Sequence, residues 1–187
     1  GLTLQGEFTQ KTGETIHPSS HDLLMDALKV GVLCTNAELE KDENGLNTLG
    51  EPVEVALLVA GAKAGLEKSE LIQELPEVRE VAFDPEIKMM ATFHKQENDF
   101  FVAVKGAPEA ILNSATKIKT HDGPTRALSD ENRKNWFKIN NKLASKGLRL
   151  LGVAKKTTAA LEDDPYENLT LLGLVAFQDP PREEVQK

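Results

Sequence analysis

The sequence has no long hydrophobic run and only one cysteine, Cys34. A membrane-spanning helix needs about 20 consecutive apolar residues, so none is predicted within these 187 residues. A single cysteine excludes an internal disulfide framework and is typical of a reducing compartment. Because Cys34 follows the apolar residues VGVL, we expect a buried structural thiol rather than a reactive one.

Positive charge is also scarce. The chain has 22 lysines and arginines against 30 acidic residues, a net charge of −8 and a pI of about 5.1. This balance argues against a nucleic-acid-binding protein, which needs a basic surface, although a small anion could still bind where cations cluster. No signal peptide is recognisable. Because the chain begins with Gly1 rather than methionine, we expect an excised or processed piece.

The motifs that usually identify enzymes are missing as well. There is no GxxxxGK[ST] phosphate loop, no GxGxxG and no GxSxG nucleophile elbow. The four histidines are scattered and have no partner cysteines, so no metal site is predicted. Residue types and spacing alone therefore do not indicate a catalyst.

The first third of the chain predicts a hairpin followed by a helix and a loop. Short strands joined by a turn are expected in residues 1–18. A helix is expected over residues 19–39, where Ser19 and Asp22 have the spacing of a capping box. Residues 40–49 are polar, which predicts a loop.

Two helices and then three strands follow. Pro52 suits the first position of the second helix, and a short third helix is expected to end before Pro76. From Glu77 onward the segments VREVAF, KMMATFHK and FFVAVK predict strands. The residues QEND between the last two have the length of an antiparallel hairpin turn.

The last part of the chain mixes helices and strands. A helix is expected from Pro108 to about Thr116, a turn-rich segment at 121–128, and a long helix capped by Ser129. Two more strands, LRLLGVAKK and LTLLGLVAF, flank an acidic insert at 161–168 that we expect to be a solvated loop. Because strands and helices do not alternate regularly, the order predicts an α+β fold, with an antiparallel β-sheet flanked by helices.

Lys105 ends a predicted strand directly before Gly106 and the helix that opens at Pro108. An ammonium beside a helix start favours a phosphate or carboxylate ligand, and a glycine would let a ligand approach the backbone. The alternative is an ordinary turn with an exposed lysine. The sequence alone leaves both open.

The preceding hairpin adds residues to this hypothesis. If KMMATFHK is a strand, Lys88, Met90 and Thr92 share one of its faces, and Phe83 ends the strand before it. A ring, a thioether and two ammonium groups together suit a nucleotide. The alternative is that Phe83 and Met90 are core residues.

The same residues carry a resemblance to a known family. VKGAPEAIL resembles the KGAPE signature of the nucleotide-binding domain of P-type cation-transporting ATPases. GEPVEVALLVAGAKAG resembles its GDPTEGALLVAAxKAG helix, FDPEIKMMATFH its FxSxxKMMS strand, GLRLLGVA its GxRVLAxA strand, and FQDPPREEV its DPPR hinge. These motifs occur in family order. The forms look most like those of calcium-type and related bacterial cation pumps.

The resemblance implies an ATP-binding function. In the family, this domain holds the adenosine part of ATP and presents the γ-phosphate to an aspartate on a phosphorylation domain. By motif, Phe83 would stack on adenine, Glu54 would meet its edge, Lys88 and Lys105 would line the pocket, and Arg149 would reach toward the phosphates. The residues expected to form the site are Glu54, Phe83, Lys88, Met90, Lys105, Gly106, Ala107 and Arg149.

The resemblance also implies how the chain is organised. Residues 1–187 would form one nucleotide-binding domain, with 178–187 starting the hinge to which Asp179 and Arg182 belong. Its partners would be ATP and the phosphorylation and actuator domains of the same pump, with no nucleic acid. It would be a monomeric cytoplasmic piece of an integral membrane protein, tied to the membrane only through other parts. Magnesium would accompany ATP in the full pump, and this domain would bind no metal itself.

The sequence departs from the family pattern at several positions. Glu51, Val53 and Val55 replace the family's aspartate, threonine and glycine in the GDPTEGAL motif. Asp84 and Pro85 stand where the family often has serine and a basic residue, which removes a possible phosphate contact. Gly106→Val is nevertheless expected to block ATP binding without unfolding the domain.

One segment resembles the family's phosphorylation loop only superficially. TQKTGET is similar to DKTGT, but Gln10 replaces the aspartate and cannot form an acyl phosphate. We interpret it as a hairpin turn containing Gly13. Without DKTGT, TGES or GDGxND motifs, the chain is expected to bind ATP without turning it over. A stand-alone regulatory or interaction module that keeps the fold without binding nucleotide is the main alternative, and a soluble phosphotransfer enzyme is less favoured.

Overall fold

A seven-stranded sheet organises the chain, as seen in a computed structural model that describes residues 3–42, 45–121 and 123–178. The strands in chain order are β1 Phe8–Thr9, β2 Thr15–Ile16, β3 Glu38–Asp42, β4 Gly45–Leu49, β5 Glu77–Asp84, β6 Met89–Gln96, β7 Asp99–Gly106, β8 Ala115–Thr120, β9 Gly123–Ala127, β10 Arg149–Thr158 and β11 Leu169–Phe177. The helices are α1 Asp22–Leu33, α2 Pro52–Lys63, α3 Lys68–Glu74, α4 Pro108–Ser114 and α5 Asp130–Ala144, and Pro18–Ser20 form a 3₁₀ turn.

The large sheet is antiparallel at every pair except one. Its order is β5-β6-β7-β10-β11-β8-β9, and β11 runs parallel to β8. Two small hairpins, β1–β2 and β3–β4, stand apart from it. Helices flank the sheet, so the predicted α+β fold is confirmed, with the single parallel pair as an addition.

The two faces of the sheet bury separate cores. On one face, Ala103 of β7 packs with Val30 of α1 and Val55 of α2. On the other, Val104 of β7 packs with Ile111 of α4. We call these the α1–α2 face and the α4–α5 face, since α5 adds its partly buried aromatic side chains to the second core. Adjacent residues of β7 therefore serve opposite cores, as the pleat requires.

A shared carboxylate joins α1 to two strands of the sheet. Asp26 Oδ2 accepts hydrogen bonds from Lys119 Nζ of β8 at 2.5 Å and from Lys155 Nζ of β10 at 2.6 Å. Burial alone would raise the pKa of Asp26, but the two lysines outweigh it and hold that pKa below its usual value. Asp26 therefore fixes α1 across the β10 and β8 strands while remaining ionised.

Most predicted elements are present, and helix α5 illustrates why. Ser129 precedes it, and its hydroxyl accepts a hydrogen bond from the Asn132 backbone N–H at 3.2 Å, as expected for a cap. Pro52 likewise opens α2 at the first helical position. The predicted β1–β2 hairpin also forms, and Gly13 in its turn has a φ of 87°.

Four predictions about local structure are wrong. The helix expected over 19–39 spans only Asp22–Leu33, and Glu38 and Leu39 belong to β3. The loop expected at 40–49 is largely a hairpin strand pair, β3–β4, and the turn-rich segment at 121–128 contains β9. Every residue of β9 is exposed, so it has no apolar alternation that could have revealed it. The capping box does not form, because Ser19 lies in the 3₁₀ turn and His21 is the residue before α1.

The acidic insert at 161–168 is a loop with exposed acidic side chains, as expected, and it is also attached to the sheet. Arg79 donates hydrogen bonds to the carbonyl oxygens of Leu161 at 2.6 Å and Asp163 at 3.1 Å. The Tyr166 hydroxyl donates to the Met89 carbonyl at 3.3 Å, and its ring packs against the α4–α5 core. The backbone and the tyrosine make these contacts, which the acidic composition does not reveal.

A buried histidine connects the end of α3 to the sheet. His94 is completely buried, with Nδ1 donating to the Leu75 carbonyl at 3.0 Å and Nε2 lying 2.9 Å from the Thr92 hydroxyl. Burial lowers the pKa of the imidazole, and the nearby charges of Lys29 and Lys68 lower it further, while the Leu75 hydrogen bond opposes them. His94 is therefore held neutral in the fold.

Stability is predicted to decrease in mild acid because of His94. Its folded-state pKa lies below the unfolded value of about 6.5, so the unfolded chain binds the proton more readily. The stabilisation is complete above that pH, and the unfolding free energy should decrease below it by up to about 1.4 kcal/mol per pH unit. Urea denaturation between about pH 7.5 and pH 5.5 measures this slope.

Two variants test the assignment. His94→Gln cannot titrate and should flatten the slope, whereas His17→Gln, at an exposed position, should leave it unchanged. An unaltered slope in His94→Gln would contradict the prediction.

Candidate functional site

Most of the residues predicted for the site meet at one edge of the large sheet. Here β5 ends at Asp84, β6 begins at Met89, β7 ends at Gly106 and β10 begins at Arg149. Gly106 lies opposite Met89 on one side and Gly152 on the other, so these strand ends are in register. We call this the Gly106 edge.

Lys105 is buried and paired, which differs from both sequence hypotheses. Its residue exposure is 7%, and its ammonium forms an ion pair with Glu54 in the first turn of α2. The exposed lysine of the ordinary-turn alternative is therefore wrong. Glu54 is also largely shielded, with a side-chain exposure of 17%. The pair fixes the start of α2 over the end of β7.

The anion site proposed for Lys105 together with the next helix does not form either. Lys105 lies opposite Met90 and Val153, whose side chains belong to the α1–α2 core, whereas α4 packs on the other face. The Ala107 backbone N–H at the start of α4 donates to the Lys88 carbonyl at 2.9 Å. The sheet therefore separates the ammonium from α4. A strand-to-helix junction in a sequence does not show on which face each part will lie.

Gly106 is a glycine because the protein itself fills the space beside it. A Cβ built on Gly106 would meet the Lys88 carbonyl oxygen and would lie 2.6 Å from Met89 Cγ. The expectation that Gly106→Val would block a ligand without unfolding the domain is therefore contradicted. The missing side chain accommodates the turn between β5 and β6.

The sequence predicted Lys88 to lie in a strand, but it belongs to that turn. Its φ is 61°, in the left-handed region, and its backbone N–H donates to the Asp84 carbonyl at 2.6 Å. Asp84 Oδ1 also accepts from the Glu86 backbone N–H at 2.7 Å. Asp84, which departs from the family pattern, thus shapes the turn. The Lys88 ammonium lies 3.3 Å from Glu109 Oε1 on α4.

Phe83 and Arg149 complete the surface at the Gly106 edge. Asp84 lies opposite Met89 at the end of β5, and an irregularity in the register between Val81 and Asp84 interrupts the alternation of side chains next to Phe83. Phe83 is 58% exposed, which rules out the alternative that it is a core residue. Arg149 is exposed, and alternation along β10 places it on the same face as Val153 and Lys105.

Met90 lies next to Lys105 on the neighbouring strand β6. It is 3% exposed and belongs to the α1–α2 core, so the core interpretation of this residue is correct. Its carbonyl accepts a hydrogen bond from the Cys34 thiol at 3.5 Å. Burial raises the pKa of Cys34 to about 11, which agrees with the expected structural thiol. The site therefore rests on packed core.

A cavity of about 500 Å³ lies elsewhere, between α1, α2, β10 and β11. None of the eight predicted site residues lines it. Its lining is mainly apolar, with Gln10, His21 and His121 as its polar residues.

The part of the chain that the structure describes contains neither a metal-binding cluster nor a membrane-spanning helix. No three side chains of His, Cys, Asp or Glu in that part form a group able to hold a metal ion. None of its helices combines the length and the apolar character that crossing a membrane requires. The hinge residues Asp179 and Arg182 lie outside the described residues.

Sequence reasoning missed Glu109, the partner of Lys88. Glu109 is in the first turn of α4, within the same VKGAPEAIL segment that contains Lys105. Glu109 and Lys88 are 21 residues apart in the sequence. The hydrogen bond from the Ala107 N–H to the Lys88 carbonyl joins the turn to the start of α4 and so brings them together. An acidic residue at the start of a short helix gives no signal of such a pairing by itself.

Gly106→Ala is predicted to destabilise the fold, because the new methyl group would collide with backbone and with Met89. Overpacking of this kind typically costs about 1–3 kcal/mol. The matched variant Gly123→Ala places a methyl group only near the Thr120 hydroxyl, at 3.0 Å on an exposed hairpin. It should change stability by less than about 0.5 kcal/mol. Urea denaturation of both variants tests the difference, and equal stabilities would show that the turn can yield.

The chain is similar to a known protein family and to several known proteins. Residues 23–184 match the family described as P-type ATPase, cytoplasmic domain N. The chain is 32% identical over 192 residues to a calcium-transporting ATPase of Bacillus subtilis, covering 100% of this chain and 21% of that protein.

Two further relatives have similar identities. A probable cation-transporting ATPase F of Mycobacterium tuberculosis is 35% identical over 161 residues, covering 83% of this chain and 18% of that protein. Calcium-transporting ATPase 1 of Saccharomyces cerevisiae is 33% identical over 168 residues, covering 86% of this chain and 17% of that protein. The chain thus spans about a fifth of the length of these relatives.

Proposed function

The chain belongs to the family of P-type ATPase cytoplasmic N domains, and we propose that it binds ATP at the Gly106 edge. One observation carries the proposal. The exposed ring of Phe83 and the shielded Lys105–Glu54 pair both lie at this edge, where β5 and β7 end. An aromatic ring beside a shielded polar pair suits a flat heterocycle that carries hydrogen-bonding groups.

The adenine would be held by three residues. Phe83 offers its ring for stacking, an interaction available to any base because every base has a π-face. Glu54 offers carboxylate oxygens that can accept a hydrogen bond from an exocyclic amine. Lys105 neutralises and orients that carboxylate, so that it can be shielded without being left unpaired. Met90 supplies the apolar floor.

The phosphates would lie toward the exposed cations of the rim. Lys88 has a side-chain exposure of 54%, and Arg149 is exposed at the start of β10. Both can reach an anion without losing much hydration. Gly106 and Ala107 take part by holding the turn, through the close approach and the hydrogen bond to the Lys88 carbonyl.

In the complete protein, we propose that the domain presents the γ-phosphate to an aspartate of a phosphorylation domain, moving as a rigid body. The names of the relatives favour a membrane pump for calcium or another cation. Its further partners would be the actuator domain and magnesium, which arrives with ATP. Asp179 and Arg182 would belong to the hinge between the domains.

Phe83→Ala is predicted to weaken ATP binding while leaving the fold intact. Loss of a stacked aromatic costs about 1–3 kcal/mol per base, or roughly 5- to 150-fold in affinity. Because Phe83 is exposed, its removal should change stability little. Titration calorimetry measures the affinity, and amide NMR should show ATP-dependent shifts clustered on Phe83, Lys88, Lys105 and Gly106.

Val78→Ala is the matched control, since Val78 is also an exposed apolar residue of β5, near the opposite end of the strand. It should bind ATP like the wild type. If millimolar ATP shifted no amide in the wild type, the chain would instead be an interaction module that keeps the fold without binding nucleotide.

The chain by itself is predicted to release no phosphate from Mg-ATP. The segment that is superficially similar to a phosphorylation loop has Gln10 in place of the aspartate. It is a hairpin turn in which the Gln10 backbone N–H donates to the Glu14 carbonyl at 2.8 Å. An amide cannot act as the carboxylate nucleophile. A phosphate-release assay with purified chain tests this, and release that disappears in Phe83→Ala would contradict it.

A further inference from the structure

The backbone of Lys88 is fixed at the Gly106 edge. Its N–H donates to the Asp84 carbonyl at 2.6 Å, and its own carbonyl accepts from the Ala107 N–H at 2.9 Å. Gly106 leaves the space that this carbonyl occupies. The Cα of Lys88 is therefore attached both to the end of β5 and to the start of α4, which carries Glu109.

The side chain of Lys88 is held much less firmly. Its ammonium lies 3.3 Å from Glu109 Oε1, and the two side chains are 54% and 48% exposed. A strong charge-assisted hydrogen bond is usually about 2.7–2.9 Å long, and exposed ion pairs of this kind are weak and screened by salt. Glu109 therefore holds Lys88 with an interaction that another anion could replace.

The second lysine at this edge behaves differently. Lys105 and Glu54 have side-chain exposures of 8% and 17%. Separating a shielded pair leaves a buried charge without a partner, which is costly. Of the two lysines, only Lys88 has an ammonium that can change partners easily.

We propose that Glu109 competes with the nucleotide's phosphates for the Lys88 ammonium and so determines how much those phosphates add to binding. The inference rests on the proposed nucleotide site. A phosphate that binds the Lys88 ammonium competes for it with the Glu109 carboxylate, so part of the gain from that contact is lost. Adenosine lacks phosphates and does not enter this competition. Glu109 is thus a specificity-determining residue that reduces the advantage of ATP over adenosine.

Glu109→Gln tests this by removing the charge and keeping the size. ATP should bind roughly 1.5- to 5-fold more tightly to the variant, the range expected from releasing one exposed ion pair, while adenosine should bind equally to both proteins. The gain for ATP should shrink at high salt because exposed charges are screened. Titration calorimetry with ATP and with adenosine, at low and high salt, gives all four affinities for each protein.

Two matched variants show whether Lys88 mediates the effect. Glu131→Gln makes the same charge change in the first turn of α5 and should leave the ratio of ATP to adenosine affinity unchanged. In a Lys88→Gln background, Glu109→Gln should no longer strengthen ATP binding, because no ammonium is left to release.

Each other outcome overturns the inference in a recognisable way. If the wild type binds ATP but Glu109→Gln does not tighten it, or tightens adenosine equally, Glu109 does not select for phosphates, while the proposed function stands. If the gain persists in the Lys88→Gln background, Glu109 acts only through its own field and not through Lys88. If the wild type binds neither ATP nor adenosine, the proposed function and this inference both fail.

Discussion

The buried ion pair between Lys105 and Glu54 determines how the Gly106 edge is arranged. A lysine almost never lies inside a fold unless its charge is matched, and here the match comes from a helix 51 residues earlier in the chain. The pair fixes the first turn of α2 against the end of β7. The core below, from Met90 to Val55, packs around that fixed contact. The Glu54 carboxylate is therefore held, largely shielded, at the edge where β5 also ends, with the exposed Phe83 near its end.

A second constraint acts at the same edge and on the opposite face. Gly106 approaches the Lys88 carbonyl so closely that no larger residue fits, and the Ala107 N–H bonds to that carbonyl. The turn after β5 and the start of α4 are thereby joined across β6 and β7. At the end of β7, Lys105 pairs with Glu54 of α2 on one face of the sheet. The next residues, Gly106 and Ala107, contact the Lys88 carbonyl in the turn after β5. The two lysines of the proposed site are therefore positioned by the same strand end.

The sequence predicted the elements whose signals are local, and the family resemblance picked out residues that mostly lie at the Gly106 edge. Pro52 and the cap at Ser129 located helices, and runs of strand-forming residues located β6 and β7. The β9 strand escaped prediction because it is exposed throughout and has no core-facing side. The sequence also could not show which face of the sheet each part occupies. The order of Lys105, Gly106 and Pro108 does not reveal that the lysine side chain and the following helix lie on opposite faces. Glu109 was missed because its contact depends on two distant segments meeting.

The left-handed backbone of Lys88 gives the turn a residue that conformational preference alone would not select. Glycine and asparagine adopt a φ near 61° more easily than lysine does. Selection for thermal stability would thus tend to remove this lysine, and selection for an ammonium at the rim would keep it. At this position, backbone conformation and the proposed ligand chemistry favour different amino acids.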